Sequence, residues 1–336
     1  MEINPILQNV LAPPVLFFLI GAISIIFKSD LEIPAPLPKL FSLYLLLAIG
    51  FKGGIEIQKS GFTDQVLPTL GAAILMSLII PLIGFFILRY KFDVFNSAAI
   101  AAAYGSISAV TFISAESFLE SQNIDFDGFM VGALALMESP AIIVGLLLVK
   151  FAAPKNRPNS RKMHFSSILH ESLLNGSVYL LLSSLIVGFL TAFSNPAAIS
   201  KMEPFTGQLF YGAECFFLLD MGIVAAQRLP RLKNAGSFLI GFAIFMPLFN
   251  SLIGVFVARF LSLGPGNALL FVVLCASASY LAVPAAMRMT VPEAKSSYYI
   301  STTLGLTFPF NICLLYTSDA ADEERGVDLG GRRIIK

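Results

Sequence analysis

The sequence contains no tryptophan, only two histidines and few charged residues: Asp, Glu, Lys and Arg make up 13% of its 336 residues. Soluble domains usually contain about 25% charged residues. In contrast, 56% of this chain is hydrophobic, and apolar runs recur along its whole length. Several runs approach the ~20 residues that a helix needs to cross a bilayer. The composition therefore argues against a soluble enzyme and predicts an all-α integral membrane protein embedded in lipid.

Groups that carry enzymatic chemistry are also scarce. Cys215, Cys275 and Cys313 lie in apolar runs without paired spacing, so we interpret them as small core residues rather than disulfides or metal ligands. The histidines, His164 and His170, lie at the edge of a basic loop, so neither is placed to activate a nucleophile at membrane depth. The sequence has no glycine-rich phosphate loop, and its net charge is only +1. We therefore expect no enzyme, no cofactor and no nucleic-acid partner.

Apolar runs and helix breakers predict about ten transmembrane helices. Their predicted bounds are residues 12–27, 38–52, 66–90, 95–119, 128–150, 167–193, 205–226, 235–262, 267–287 and 297–315.

Basic residues predict the orientation of these helices. The densest cluster runs from Lys150 to Lys162, which places the loop at 152–166 in the cytoplasm. With the other loops alternating, 14 Lys and Arg residues lie inside and four outside. The sequence therefore predicts both termini outside.

The two halves of the chain share short motifs at similar offsets. Pro81 matches Pro247, Ser106 matches Ser277 and Pro140 matches Pro309, at offsets of 166, 171 and 169. This pattern predicts two repeats, at 1–151 and 167–315, joined by the short basic loop. Five helices per repeat is an odd number, so the second repeat is expected to be inverted, as in many secondary transporters.

Two predicted helices contain small and polar residues at mid-membrane. They are residues 103–112 (AYGSISAVTF) and 276–284 (ASASYLAVP), and glycine, serine and Pro284 weaken a helix there. A helix that restarts exposes backbone N–H groups, which favour an anion. The four serines Ser106, Ser108, Ser277 and Ser279 would add neutral donors. The alternative is that these small residues only allow close helix packing.

Carboxylates at membrane depth form the second signal, because a buried unpaired charge is costly. Glu138 and Asp220 are the deepest in the predicted helices, whereas Glu56, Glu116 and Glu214 lie nearer helix ends and suit the interface. A sodium ion prefers oxygen ligands. Glu138 is the centre of a predicted sodium site, and Asp220 is either a further ion ligand or an interhelical hydrogen-bonding residue. The other predicted sodium ligands are Thr111, Ser139, Asn311 and an unwound backbone, and proton coupling through Glu138 is an alternative.

Four motifs together resemble the cyanobacterial sodium-dependent bicarbonate permease family (SbtA). They are residues 48–54 (AIGFKGG), 103–112, 138–141 (ESPA) and 278–288 (ASYLAVPAAMR), and the resemblance runs from about residue 5 to about residue 312. It implies core and gate domains, a homotrimer in a bacterial plasma membrane, and elevator-like movement of the core with bicarbonate and sodium. The bicarbonate site that it implies consists of Gly105, Ser106, Ile107, Ser108, Ser277, Ala278 and Ser279.

The sequence departs from that family at two places. Relatives have a much longer cytoplasmic loop between the fifth and sixth helices. The resemblance also implies a small PII-like regulator that docks on the cytoplasmic face, and the short loop at 152–166 argues against that partner. Residues 313–336 turn abruptly polar and resemble translated read-through of a sequencing adapter, which predicts a non-native tail and a truncated tenth helix.

Three functions follow as hypotheses. The first is sodium-dependent bicarbonate symport. The second is sodium- or proton-coupled symport of another small anion, because neutral donors do not select bicarbonate alone. The third is a membrane protein that binds or signals without transport.

Overall fold

A computed structural model describes residues 11–34, 36–61, 63–153, 176–232, 236–280 and 282–312. Every regular element in these ranges is helical. The predicted cytoplasmic loop from residue 154 onward, the predicted start of the sixth helix at 167 and the predicted tail at 313–336 lie outside the described residues.

Fourteen α-helices are described, and we number them in chain order. They are α1 Pro13–Ile26, α2 Pro36–Ser60, α3 Val66–Leu88, α4 Val94–Gly105, α5 Ala109–Ser121, α6 Phe129–Ala152, α7 Gly176–Ser194, α8 Ala197–Glu203, α9 Leu209–Leu232, α10 Ser237–Phe260, α11 Pro265–Ala276, α12 Ala282–Thr290, α13 Ser296–Thr302 and α14 Phe308–Phe310. Two π-helical turns, Pro204–Gln208 and Thr303–Thr307, join α8 to α9 and α13 to α14.

Seven helical segments within the described ranges are long and apolar enough to cross a membrane. Pro13–Ile26 and Pro265–Ala276 are apolar but shorter. The chain is therefore an all-helical protein with several candidate membrane spans.

Two predicted helices are longer than the sequence suggested. The helix predicted at 38–52 extends to Ser60. The charged side chains after Lys52 do not end it, because Lys52, Glu56 and Lys59 reach a cavity beside the helix. The helix predicted at 205–226 is preceded by a helical segment that begins at Ala197. Pro204 does not break it, because a π-helical turn accommodates the missing N–H there.

Both predicted interruptions are present. The first break separates α4 from α5 at residues 106–108, and the second follows the end of α11, with residues 277–280 described as non-helical before α12 begins at Ala282. Pro284 lies in the first turn of α12 rather than in the break. In a first turn the missing N–H of proline costs no helical hydrogen bond.

Two helix pairs pack closely through glycine. A Cβ atom on Gly54 of α2 would lie 2.0 Å from the carbonyl oxygen of Leu185 in α7. In the other pair, a Cβ on Gly222 of α9 would lie 2.0 Å from the carbonyl oxygen of Phe18 in α1. Such close approach is typical of helix association in membranes. Each pair joins a helix from the first half of the chain to one from the second.

The interrupted helix α4–α5 lies at the centre of the molecule. Within Val94–Ser121, 94% of an apolar stretch of 18 residues is buried in the protein. The corresponding buried share within Ser237–Phe260 is 33%. Large apolar side chains cover the outside, among them Phe86, Phe245 and Phe256. The first break is therefore enclosed by protein, while α10 presents an apolar surface suited to lipid.

Candidate functional site

The two breaks meet in the interior and complete each other's backbone hydrogen bonds. In an unbroken helix the Ala103 carbonyl would accept from residue 107, but α4 has ended there. Instead, the backbone N–H of Ser279 donates to the Ala103 carbonyl at 2.8 Å. In return, the Ser108 N–H donates to the hydroxyl oxygen of Ser277 at 3.1 Å. The crossing is thus held by one hydrogen bond in each direction.

At each break, a serine hydroxyl accepts a hydrogen bond from the first turn of the helix that follows. The Ser108 hydroxyl oxygen accepts from the backbone N–H of Thr111 at 3.2 Å and from the Thr111 hydroxyl at 2.8 Å. At the second break, the Ser279 hydroxyl oxygen accepts from the Val283 N–H at 3.3 Å. Because both serine oxygens act as acceptors for their helices, each hydroxyl proton is left to be donated elsewhere.

A cavity of about 30 Å³ lies beside both helix starts. One water molecule needs roughly 10–15 Å³ by this kind of measure, so the space suits a small ion. Its lining includes Ser108, Ala109 and Val110 from the first break and Ser279 and Ala282 from the second. The first N–H groups of a helix have no intrahelical acceptor, so the starts of α5 and α12 both offer donors at this cavity.

The four predicted serines divide into two pairs. Ser108 and Ser279 line the cavity, whereas Ser106 and Ser277 are not among its lining residues. The Ser106 hydroxyl donates to the Glu138 carbonyl at 3.3 Å, and the Ser277 hydroxyl donates to the Leu274 carbonyl at 3.0 Å. The structure therefore directs one hydroxyl of each break toward the cavity and one into the scaffold.

The other residues of the predicted anion site lie at the same crossing. Ile107 lines the cavity, and Ala278 is buried within the second break. Gly105 ends α4, where a Cβ atom would lie 2.1 Å from the Cγ of Pro81. The role of Gly105 in the structure is therefore to let α3 approach the first break.

Glu138 is the one carboxylate that lines this cavity among the described residues. It lies in the middle of α6, and only 6% of it is exposed. A buried carboxylate without a cation is unfavourable, so this position suits a bound cation or a proton.

The remaining predicted sodium ligands surround the cavity without lining it. Thr111 is hydrogen-bonded to Ser108, and Ser139 is buried next to Glu138. The Asn311 side-chain N–H donates to the Ala276 carbonyl at 3.0 Å, while its side-chain oxygen is buried without a hydrogen-bond partner among the described residues. The structure therefore brings Glu138, Thr111 and Asn311 to the two breaks, and of these three only Glu138 lines the cavity.

The family model of the Na+-dependent bicarbonate transporter superfamily matches residues 13–317 of this chain. The chain belongs to this superfamily. No curated protein matches it. The match includes both breaks and Glu138, so the cavity described above lies within the part of the chain that defines the family.

Asp220 is not part of this transporter's cavity. It lies in α9 and is 8% exposed, and the residues that line the cavity come from other helices. The structure does not bring Asp220 together with Glu138, so a role in ion binding there stays a prediction.

The prediction that Glu214 lies at the interface is wrong. Its side chain is fully buried and accepts hydrogen bonds from Ser117 at 3.0 Å and from Ser114 at 3.3 Å. Both serines lie in α5, so this carboxylate joins α9 to the central interrupted helix. This contact could not be predicted from the sequence, because the serines are 97 and 100 residues away along the chain.

A separate polar vestibule of about 530 Å³ lies between α2 and the end of α5. Lys52 borders it and forms an ion pair with Glu120 at 3.7 Å. Carboxylates predominate over lysines in the lining, which includes Glu56, Glu116, Glu120, Asp125 and Glu203 together with Lys52 and Lys59.

Sequence analysis missed three polar residues of the central cavity. Ser42 lies in α2, Ser177 in α7, and Tyr280 in the second break. Tyr280 is part of a motif that supported the family resemblance, which was the available signal for it. Ser42 and Ser177 reach the cavity only because α2 and α7 pack together beside the crossing, and neither carries a motif.

Proposed function

We propose that this protein is a secondary active transporter that carries bicarbonate together with sodium. The observation that supports this most is the single cavity beside two helix starts and Glu138. This function agrees with the family to which the chain belongs. The proposal involves no enzymatic reaction and no cofactor other than the coupling ion.

The donors around the cavity favour a small oxyanion. The starts of α5 and α12 direct backbone N–H groups and the positive ends of two helix dipoles at the same space. The hydroxyls of Ser108 and Ser279 add neutral donors. Because no Lys or Arg of the described residues lines the cavity, the anion would be held by dipoles and released more easily than from a buried cation.

Glu138 explains why the anion would need sodium. Two negative charges in a small buried cavity repel each other strongly. A sodium ion beside Glu138 would reduce this repulsion, so the anion and sodium would bind more tightly together than alone. Thr111, Ser139 and Asn311 are the proposed neighbouring oxygen ligands, and Asp220 is left outside this set. A proton on Glu138 is the alternative coupling ion.

We further infer two inverted five-helix repeats, with α1, α2, α7 and α9 as a gate and the remaining helices as a moving core. The glycine-mediated pairs α1–α9 and α2–α7 support the gate, since each pair joins the two halves. The cavity lies where α2 and α7 meet the two breaks, which is where an elevator-like core would expose its cargo. We propose a homotrimer in a bacterial plasma membrane with both termini outside.

Uptake of radiolabelled bicarbonate into proteoliposomes tests this function, using the full chain with and without an inward sodium gradient. We expect accumulation that requires sodium and persists when the proton gradient is collapsed. Accumulation driven by protons instead would reject sodium coupling. Displacement of bicarbonate by another small anion at a far lower concentration would support that anion as the substrate. Saturable binding without flux would reject transport.

A further inference from the structure

Tyr104 is the last large side chain before the first break and is buried almost completely. It does not line the central cavity. Its ring packs edge-on against Phe242 of α10, with ring centres 5.0 Å apart. A tyrosine hydroxyl buried this deeply requires a hydrogen-bond partner.

The hydroxyl of Thr307 is one such partner, at 2.6 Å, and the side chain of Thr302 is another. Thr307 ends the π-helical turn Thr303–Thr307 in the last described part of the chain. The Thr307 hydroxyl donates its only proton to the Ala243 carbonyl of α10, at 2.8 Å. Tyr104 must therefore be the donor to Thr307, and the three groups form a directed chain.

Proline explains why the Ala243 carbonyl is available. In a regular helix this carbonyl would accept from residue 247, but Pro247 has no N–H. Thr307 takes the place of that missing donor. The π-helical turn and Pro247 are both local irregularities, and they meet at this one hydrogen bond.

The backbone next to Tyr104 connects this chain of hydrogen bonds to the site. The Ala103 carbonyl accepts from Ser279 in the second break, and Ser106 donates to the Glu138 carbonyl. A shift of Tyr104 would therefore move the first break relative to both Ser279 and Glu138.

We propose that Tyr104 is a positioning residue, which acts through Thr307 and the Ala243 carbonyl to fix the first break for anion binding. This inference rests on the proposed function for its transport readout. Loss of one hydrogen bond of this kind should weaken binding by about two- to tenfold. It should leave the maximal rate within about twofold, because no group in the cavity is removed.

The test compares Tyr104→Phe and Thr307→Val with Thr69→Val in proteoliposomes. Thr69 is a matched control, because its hydroxyl is fully buried and has no hydrogen-bond partner among the described residues. We expect both test variants to raise the KM for bicarbonate by about two- to tenfold, and the double variant to be no worse than the more affected single variant. Thr307→Ser, which keeps the hydroxyl, should restore the wild-type KM. An unchanged KM in Thr307→Val, or the same change in Thr69→Val, would overturn the proposal.

Hydrogen–deuterium exchange separates this proposal from the function on which it rests. In purified protein, Tyr104→Phe and Thr307→Val should speed exchange in peptides covering residues 104–112, and Thr69→Val should not. If the wild-type protein takes up no bicarbonate, the proposed function fails, and this measurement alone decides the role of Tyr104. Equal exchange in all three variants and the wild type would reject the positioning role of Tyr104.

Discussion

The two breaks resemble each other in backbone but differ in the polar groups around them. α4 and α11 both end at an extended serine, and the helix that restarts is capped by a serine in each case. Near the first break lies a carboxylate, Glu138, which also lines the cavity. Near the second lies a neutral amide, Asn311, which is bonded to the scaffold. In the proposed function, the two similar helix starts would bind the anion, and the one carboxylate would place cation coupling at the first break.

Removing one hydroxyl from each break should have the largest effect. Ser108→Ala together with Ser279→Ala removes the two serine hydroxyls that the breaks contribute to the cavity lining. Hydrogen bonds to a charged group are each worth about 1.5–3 kcal/mol, so we expect uptake to fall by at least about 100-fold. The measurement is bicarbonate uptake at equal amounts of folded protein.

Ser24→Ala with Ser77→Ala is the matched control for that experiment. Both of these serines are buried and donate to a carbonyl three residues earlier in their own helix. Uptake should remain near the wild-type value. An equal loss in test and control variants would show that the effect comes from helix stability rather than from the cavity.

Removing the charge from the first break should have the next largest effect. Glu138→Gln keeps the size of the side chain but cannot offset a sodium ion, so we expect sodium activation of uptake to weaken by about tenfold or more. The measurement is the sodium concentration that gives half-maximal uptake. Glu56→Gln, at an exposed residue paired with Lys59, is the control. Unchanged sodium activation in Glu138→Gln would contradict the proposal that sodium binds beside Glu138 at the first break.

The second break should be less sensitive to loss of its neutral amide. Asn311→Ala removes the hydrogen bond to the Ala276 carbonyl, and we expect the KM for bicarbonate to rise by about two- to fivefold. Sodium activation should change by less than in Glu138→Gln. A larger effect on sodium activation than that of Glu138→Gln would place Asn311, rather than Glu138, at the centre of the sodium site.

Ser106→Ala should have the smallest effect of the four changes. The Ser106 hydroxyl bonds the Glu138 carbonyl at 3.3 Å and does not line the cavity, so we expect uptake to fall by only about twofold. Uptake by Ser106→Ala and Ser108→Ala would be compared in the same preparation. Greater loss in Ser106→Ala would contradict the division of the serines into cavity and scaffold pairs.

The all-helical class and both breaks were predictable because their causes are local. Glycine and serine at 105–108 weaken the helix wherever they occur at mid-membrane, and apolar length marks a span. The direction of each serine was not predictable, because Ser106 and Ser108 have the same residue type and are two positions apart. Which of them lines the cavity depends on α6 and α11 packing beside them.

Contacts over long sequence separations account for the other differences. In the sequence, Glu214 has the pattern of an interfacial residue. The structure shows that Ser114 and Ser117 of α5 donate hydrogen bonds to its carboxylate. In the sequence, Tyr104 has the pattern of an ordinary buried aromatic residue. The structure shows that its hydroxyl is hydrogen-bonded to Thr307, which is 203 residues away. The family motifs identified the region of the site, but the distinction between ligand-facing and supporting residues required the three-dimensional arrangement.

The most direct test of the account is the linkage between the two ligands. Binding of radiolabelled sodium to the purified full chain would be measured with and without bicarbonate, and binding of bicarbonate with and without sodium. We predict that each ligand tightens the other by the same factor, as linkage requires, and that Glu138→Gln abolishes the effect. Sodium binding that is independent of bicarbonate in the wild-type protein would contradict a shared site at the two breaks.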